Sequence, residues 1–365
     1  MSRPPKEAGS LSQWQLIRLR FGKHWPAVAS LYLLGILYLL ALFAECFAPY
    51  SKGWNDVDYI YAPPQLPRFS LEEGWHAVQL QRHIDPETLK NYYTKTNQVI
   101  PLGFFVQGEP YRLWGVIPMD RHFFGADMPA DAEEWPAYYM LGADKFGRDI
   151  LSRLIFSARI SLSIGLVAIL VTFLLGVSIG GVSGYVGGRT DNVIQRSIEI
   201  INAFPQLPLW LALAAVMPAD WSSIQTYFAI TIVLSLLGWT GLARVVRGKI
   251  LSLREEDYAV AARLLGANHG RILFRHLLPG FTSHIIVSLS LSVPAMILGE
   301  TALSFLGLGL RPPVVSWGVM LQECLNIDVI ANYPWLLMPV FLIILTVLAF
   351  NFLGDGMRDA ADPYR

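Results

Sequence analysis

Asp144, Arg148 and Asp149 sit close together in the run Leu141-Gly142-Ala143-Asp144-Lys145-Phe146-Gly147-Arg148-Asp149. Two carboxylates flanking a cation could serve acid–base chemistry. The same residue types also build a turn and helix start, because an Asp at the N-cap accepts hydrogen bonds from the first free backbone N–H groups. The turn-and-helix brace is preferred, because an Asp at a helix start caps it. Other catalytic constellations are missing. No serine in a Gly-x-Ser-x-Gly elbow has a plausible triad. His269 and His276 are seven residues apart, His284 is isolated, and His76, His83 and His122 lack the Cys or carboxylate spacing of a metal site. Gly184, Gly187 and Gly188 precede Arg189-Thr190, and no Gly-x-x-x-x-Gly-Lys occurs, so the chain is not expected to bind ATP itself. Cys46 and Cys324 lie far apart and form no disulfide framework.

The segment Asp257 to Pro279 is a different kind of candidate. It is a small-residue helix, Asp-Tyr-Ala-Val-Ala-Ala-Arg-Leu-Leu, that Gly266 ends, followed by the basic residues Arg271 and Arg275. Apolar runs from Ile230 to Ala243 and from Leu277 to Gly299 flank it, and neither contains Asp, Glu, Lys or Arg. The chain lifts this polar helix out of the bilayer between two spans. Two acids sit near membrane-length runs. Glu300 lies toward one end of its run, where an ionisable group is costly and either locks helices or lines a path. Glu199 is expected to pair with a neighbouring base.

The elements that must carry these residues are membrane spans. Apolar residues make up 53% of the chain and charged residues 15%, a balance that points away from a soluble enzyme. Net charge is zero, so nothing argues for nucleic acid. Predominantly apolar windows long enough to cross about 30 Å of hydrocarbon fall near residues 27–44, 160–184, 200–219, 223–243, 280–304 and 333–354. The first is not a secretory signal, since it is too long and lacks a small-residue cleavage site. Basic residues set the orientation. Arg3, Lys6, Arg18, Arg20 and Lys23 precede the first span, and an even span count puts Arg189, Arg196, Arg244, Arg247, Lys249, Arg254 and Arg358 on that same side. Both termini are therefore expected to be cytoplasmic. Between the first two spans lies a Pro-, Trp- and Tyr-rich segment, read as a small folded extracytoplasmic domain of α+β or irregular structure. Pro86 to Tyr93 is expected to be a short helix, and Val99 to Val106 a strand followed by a turn. Gly176, Gly180, Gly184 and Gly188 recur every fourth residue and are read as a close-packing face. Pro205, Pro208, Pro294 and Pro339 lie inside apolar runs, where each removes a helical donor.

These features resemble a known family. ATP-binding-cassette importers carry a cytoplasmic loop patterned Glu-Ala-Ala, three residues, Gly, then a fixed interval to Leu-Pro. Ala261, Ala262, Gly266, Leu278 and Pro279 occupy those positions, while Val260 stands where the pattern has Glu. The run Leu141 to Arg153, Ala158-Arg159-Ile160-Ser161-Leu162, Gly184-Tyr185-Val186-Gly187-Gly188 with Asp191, Ser304 to Gly309, and Phe350 to Ala360 with Asp362-Pro363 are similar to the oligopeptide, dipeptide and nickel permease branch, and to its permease C subunits. The resemblance covers the first span and residues from about 141 to the end.

It implies an all-α polytopic fold with six transmembrane helices, the type I importer permease fold. Its parts would be a cytoplasmic tail at 1–26, a first span at 27–48, an extracytoplasmic domain at 49–140, and a permease core at 141–365 whose coupling loop spans 250–279. It implies no enzyme activity in this chain and no bound cofactor, with ATP and Mg held by partner ATPases. The implied partners are a homologous permease, two ATPase subunits or domains, an extracytoplasmic binding protein and the lipid of a bacterial inner membrane. Tyr258, Val260, Ala261, Ala262, Arg263, Gly266, Arg271, Arg275 and Pro279 would form the ATPase-coupling loop. Peptides are the implied cargo; nickel chelates and oligosaccharides belong to the same branch, and an integral-membrane enzyme or a passive channel is the reading from outside it.

Overall fold

The computed structural model describes residues 13–88, 90–127, 137–218 and 220–361. Of the residues read from the sequence, Arg3, Lys6, Asp362 and Pro363 lie outside them, as does residue 89 within the helix expected at Pro86 to Tyr93. In chain order the helices are α1 (Gln13–Lys23), α2 (Trp25–Leu42) and α3 (Ala44–Phe47), followed by strands β1 (Arg68–Ser70), β2 (Gly74–Ile84), β3 (Asn91–Leu113) and β4 (Ile117–Ala126). Then come α4 (Ile150–Val186), α5 (Gly188–Ala203), α6 (Gln206–Ala215), α7 (Ser223–Leu253), α8 (Asp257–Leu264), α9 (His269–Arg271), α10 (Thr282–Phe305), α11 (Trp317–Leu321), α12 (Ile327–Asn332) and α13 (Met338–Ala361). Among the described residues, five helical runs are long and apolar enough to cross a membrane: Trp25–Leu42, Ile150–Val186, Ser223–Leu253, His269–Phe305 and Pro334–Ala361.

The expected span at 200–219 is not one straight helix. α5 and α6 meet at a bend of 83°, and together they make at most one broken span. The cause is local: Pro205 has no N–H to donate, and its ring drives the preceding residue out of the helical region. Phe204 is accordingly extended, with φ −87° and ψ 136°. Pro294, by contrast, is accommodated inside α10.

The chain divides into two units. The first comprises residues 1–35, 163–303 and 344–365. Here the glycine stripe does what its spacing predicts over three of its four members. A Cβ at Gly176 would lie 2.8 Å from the Leu242 side chain, one at Gly180 would strike the Ala243 backbone, and one at Gly184 would lie 2.7 Å from the Arg247 carbonyl. α4 and α7 therefore touch backbone to backbone, as small residues permit. Gly188 is not part of this face. It follows the end of α4, has φ 56°, and has no atom within 4 Å of its Cβ position.

The second unit comprises residues 36–162 and 304–343. It holds a four-stranded antiparallel sheet in the order β1-β2-β3-β4. β3 pairs with β2 from Asn91 to Pro101 and with β4 from Leu102 to Leu113. The helix expected at Pro86 to Tyr93 is instead a hairpin turn running into a strand. Asp85 Oδ1 accepts from the Glu87 and Thr88 N–H groups at 2.8 and 3.1 Å, closing the turn. Tyr92, Tyr93, Thr94 and Thr96 then favour extended pairing. Val99 to Val106 is likewise uninterrupted strand. The C-terminal carbonyls of α2 are satisfied within this unit. Arg159 donates to the carbonyls of Ala41 (2.8 Å) and Leu42 (3.0 Å) and to both Glu45 oxygens (2.7 Å each), and the Trp114 indole donates to Leu42 (2.8 Å). A cation at that end also offsets the negative pole of the helix.

Candidate functional site

The polar interruption between α7 and α10 is a helix with a complete C-terminal stop. α8 begins after Glu256, whose ψ is 146°, and carries Asp257 in its first turn, where the helix dipole favours an acid. At its other end Gly266 adopts φ 79°. Its N–H donates to the Arg263 carbonyl at 3.0 Å, and the Ala267 N–H donates to the Ala262 carbonyl at 3.1 Å. These two bonds are the Schellman pair that closes a helix through a left-handed residue. Since nothing lies within 4 Å of a Cβ at Gly266, glycine is required there for its conformation and not for space. Asn268 restarts the chain by accepting from the Arg271 N–H at 2.7 Å. Ile272–Leu277 then winds as a π-helix and Leu278–Phe281 as a 3-10 turn, with Pro279 at its start, before α10 continues.

α8 has two unlike faces. Ala259 and Ala262 are buried in a cluster with Val177 of α4, Leu242, Val246 and Ile250 of α7, and Ile272, Leu273 and Leu277. Methyl side chains let the helix backbone sit close to those three elements. On the other side Leu264 and Leu265 are 83% and 88% exposed. Tyr258, Ala261, Arg263, Arg271 and Arg275 are exposed near them, and Val260 is half-buried.

A polar clamp braces the helix ends beside this element. Arg247 on α7 donates to both carboxylate oxygens of Asp191 on α5, at 2.5 and 2.6 Å. Ser183 Oγ of α4 donates to the same carboxylate at 2.5 Å, and Gln195 donates to Ser183. Arg254 donates to the carbonyls of Gly184 and Tyr185 at 3.0 and 3.3 Å, satisfying the end of α4. The planar guanidinium suits such paired acceptors. Local sequence patterns do not reveal this clamp, since Asp191 and Arg247 are 56 residues apart. The exposed leucines were also missed, although two adjacent leucines before a glycine stop in a polar segment are a readable signal.

The other sequence candidates fall in three further places. Gly142, Asp144, Gly147, Arg148 and Asp149 form the brace before α4. Asp149 caps that helix, its Oδ2 accepting from the Ser152 N–H (2.7 Å) and hydroxyl (2.6 Å). Asp144 accepts from the Phe146 and Arg148 N–H groups and from the Arg148 guanidinium at 2.7 Å. Gly147 has φ 69°, and a Cβ there would collide with the Asp56 carbonyl. Burial raises the Asp149 carboxyl to about 6, against the hydrogen bonds from Ser152 and Leu151 and with help from Asp144. Glu323, beside Arg148 and the Lys145 N–H, is also raised by burial and by Asp144. Pro294 and Glu300 lie in α10, and Glu300 is fully buried. Glu199 pairs with Arg196 at 2.7 Å on the surface.

Near the α5–α6 bend, a cavity of about 550 Å³ is lined by Asn202, Pro205, Gln206, Thr240, Ser292 and Met296, among others. It offers amide and hydroxyl groups and no charge. Among the described residues no group of three or more His, Cys, Asp or Glu could hold a metal ion.

The family described as "Binding-protein-dependent transport system inner membrane component" matches residues 174–364, and "N-terminal TM domain of oligopeptide transport permease C" matches residues 12–64. The chain is 41% identical over 238 residues to the dipeptide transport system permease protein DppC of Bacillus subtilis, covering 65% of this chain and 71% of that protein. It is 40% identical over 246 residues to the glutathione transport system permease protein GsiD of Pectobacterium atrosepticum, covering 65% and 79%. It is 38% identical over 239 residues to the oligopeptide transport system permease protein OppC of Haemophilus influenzae, covering 65% and 74%.

Proposed function

Because the chain belongs to the family of binding-protein-dependent transport system inner membrane components, we infer that it is the transmembrane permease subunit of an ATP-driven importer that moves peptides across a bacterial inner membrane. Peptide cargo follows the names of its relatives, the dipeptide, glutathione and oligopeptide transport system permease proteins. The observation that carries the mechanism is α8, whose alanine face is locked into the ends of three elements while two leucines project from the other side. We assign Tyr258, Val260, Ala261, Ala262, Arg263 and Gly266, with Arg271, Arg275 and Pro279 behind them, to docking on a partner ATPase. The leucines would enter an apolar cleft and the arginines would meet acidic groups at its rim.

On this reading the ATP and Mg sit in two partner ATPase subunits or domains, and a homologous permease completes the pathway. When the ATPases close on ATP, α8 tilts as a rigid piece. The Asp191–Arg247 clamp and the shared core carry that tilt into α4, α7 and the start of α10, and hydrolysis resets the cycle. The cavity at the α5–α6 bend is proposed as part of the path. Uncharged amides and hydroxyls there would pair with a peptide backbone whatever its side chains. Glu300 is assigned to locking α10 against its neighbours. The orientation from basic residues puts both termini and α8 in the cytoplasm, and the sheet outside, within reach of a binding protein.

Peptide uptake by proteoliposomes containing the whole complex tests the coupling assignment. Gly266→Pro cannot adopt φ 79° and loses the N–H that Arg263 accepts, and Ala261→Glu places a large acid on the outer face of α8. Both variants are expected to abolish ATP-dependent uptake while inserting normally. Undiminished uptake in both would defeat the assignment.

A further inference from the structure

The second unit contains a groove of about 690 Å³, within the roughly 300–1,000 Å³ typical of small-ligand sites. Its walls come from the ends of three membrane-length helices: Leu37 and Leu40 of α2, Leu154 and Ala158 of α4, and Met338 and Phe341 of α13. Aromatic side chains of the sheet roof it, with Trp75 from β2, Phe104 from β3, and Phe123 and Phe124 from β4. Among the described residues that line it, none is charged and none carries a hydroxyl or amide side chain.

Two arguments name the occupant. The lining has next to nothing to offer a hydrogen bond, so an extended peptide laid there would leave its N–H and C=O groups unpaired at a cost of several kcal/mol each. An occupant must therefore be hydrocarbon. The groove is also continuous with a surface of the kind that faces lipid. Phe341 lines it and is 63% exposed, Phe104 lines it and is 57% exposed, and Ile36 and Leu39 of α2 lie exposed alongside. The last turns of a span lie at the boundary between headgroups and acyl chains, where aromatic side chains concentrate.

We propose that this groove holds an acyl chain of a membrane phospholipid and so seats the sheet on the bilayer surface. The inference depends on bilayer insertion of the spans and not on cargo or ATP coupling, so its test needs no transport readout. The complete transporter complex would be reconstituted in phosphatidylethanolamine and phosphatidylglycerol vesicles containing phosphatidylcholine with a diazirine on one acyl chain. After irradiation, crosslinked peptides are mapped by mass spectrometry. Crosslinks are expected at Trp75, Ala158 and Phe341 as well as at the open face around Leu39. Phe104→Asp, at a position 57% exposed, puts a charge at the mouth and should lower groove labelling about tenfold or more with Leu39 labelling unchanged. Ala158→Phe fills the groove from within and should do the same. If either variant fails to insert, the wild-type map decides by itself. Labelling confined to the open face, groove labelling indifferent to both variants, or groove labelling that emerges only after the partner permease is stripped away would each overturn the proposal.

Discussion

Leu264 and Leu265 are the sharpest place to test the coupling mechanism, because their exposure separates stability from docking. Replacing both by alanine removes three carbon groups from each. In the free chain these groups touch mostly solvent, being 83% and 88% exposed, so the fold should change by no more than about 0.5 kcal/mol. If a partner cleft covers both side chains, the loss at about 0.8 kcal/mol per buried carbon group is about 2 kcal/mol each and about 4–5 kcal/mol together. At about 1.4 kcal/mol per decade, the ATPase should then bind on the order of a thousandfold more weakly. Partial coverage scales this down, but even half leaves a loss of more than tenfold. The assay is ATPase association with the permease pair in nanodiscs, measured by interferometry beside a melting curve of the same preparation. Unchanged affinity would refute the docking surface. A melting temperature that falls in step with affinity would show that the leucines support the fold instead.

Gly180→Val and Gly188→Ala contrast two reasons for glycine in one motif region. The first drives a side chain into the Ala243 backbone, which cannot rotate away, and should cost about 3 kcal/mol or more, read as a lower melting temperature of the purified complex. The second meets no atom and should cost only the left-handed strain of about 1–2 kcal/mol, so equal losses would undo the packing argument. For Asp149, burial raises the folded carboxyl to about 6 against an unfolded value near 3.9. A raised value means that its contribution is present in full below about pH 4 and is lost as pH rises through about 6. The melting temperature of the native chain minus that of Asp149→Asn should therefore fall between about pH 4 and pH 7, and a flat difference would contradict the burial effect.

Much of this architecture is legible without coordinates. Long uncharged stretches must be helices in lipid, because no other open structure pairs its own backbone there. Asp149 before an apolar run reads as a cap, and Gly266 after a helical run reads as a stop; both are local chemistry, and both are found. What escaped was non-local or competitive. Pro86 to Tyr93 carries residues acceptable to a helix, yet Asp85 captures the two N–H groups a helix would need and the strand pairs with β2. Pro205 reads from the sequence as a lost helical donor, which accounts for the break locally; how far the chain then turns, 83° between α5 and α6, depends also on what surrounds the freed carbonyl. Leu264 and Leu265 would ordinarily be assigned to a core, and only their place in the fold shows them outside it.

The amino-acid sequence by itself determined the membrane class, the number of candidate spans to within the broken one, the face of α4 that meets a neighbour, and the position of the polar helix between two spans. These follow from hydropathy, backbone pairing and the conformational limits of Gly, Pro and Asp, all of which act within a few residues. Only the tertiary structure decided that Asp191 meets Arg247, that Arg159 closes the end of α2, that Phe104 and Ala158 line one groove, and that α8 turns its alanines inward and its leucines outward. Those pairings depend on which distant surfaces meet once the helices pack, and no local preference specifies that.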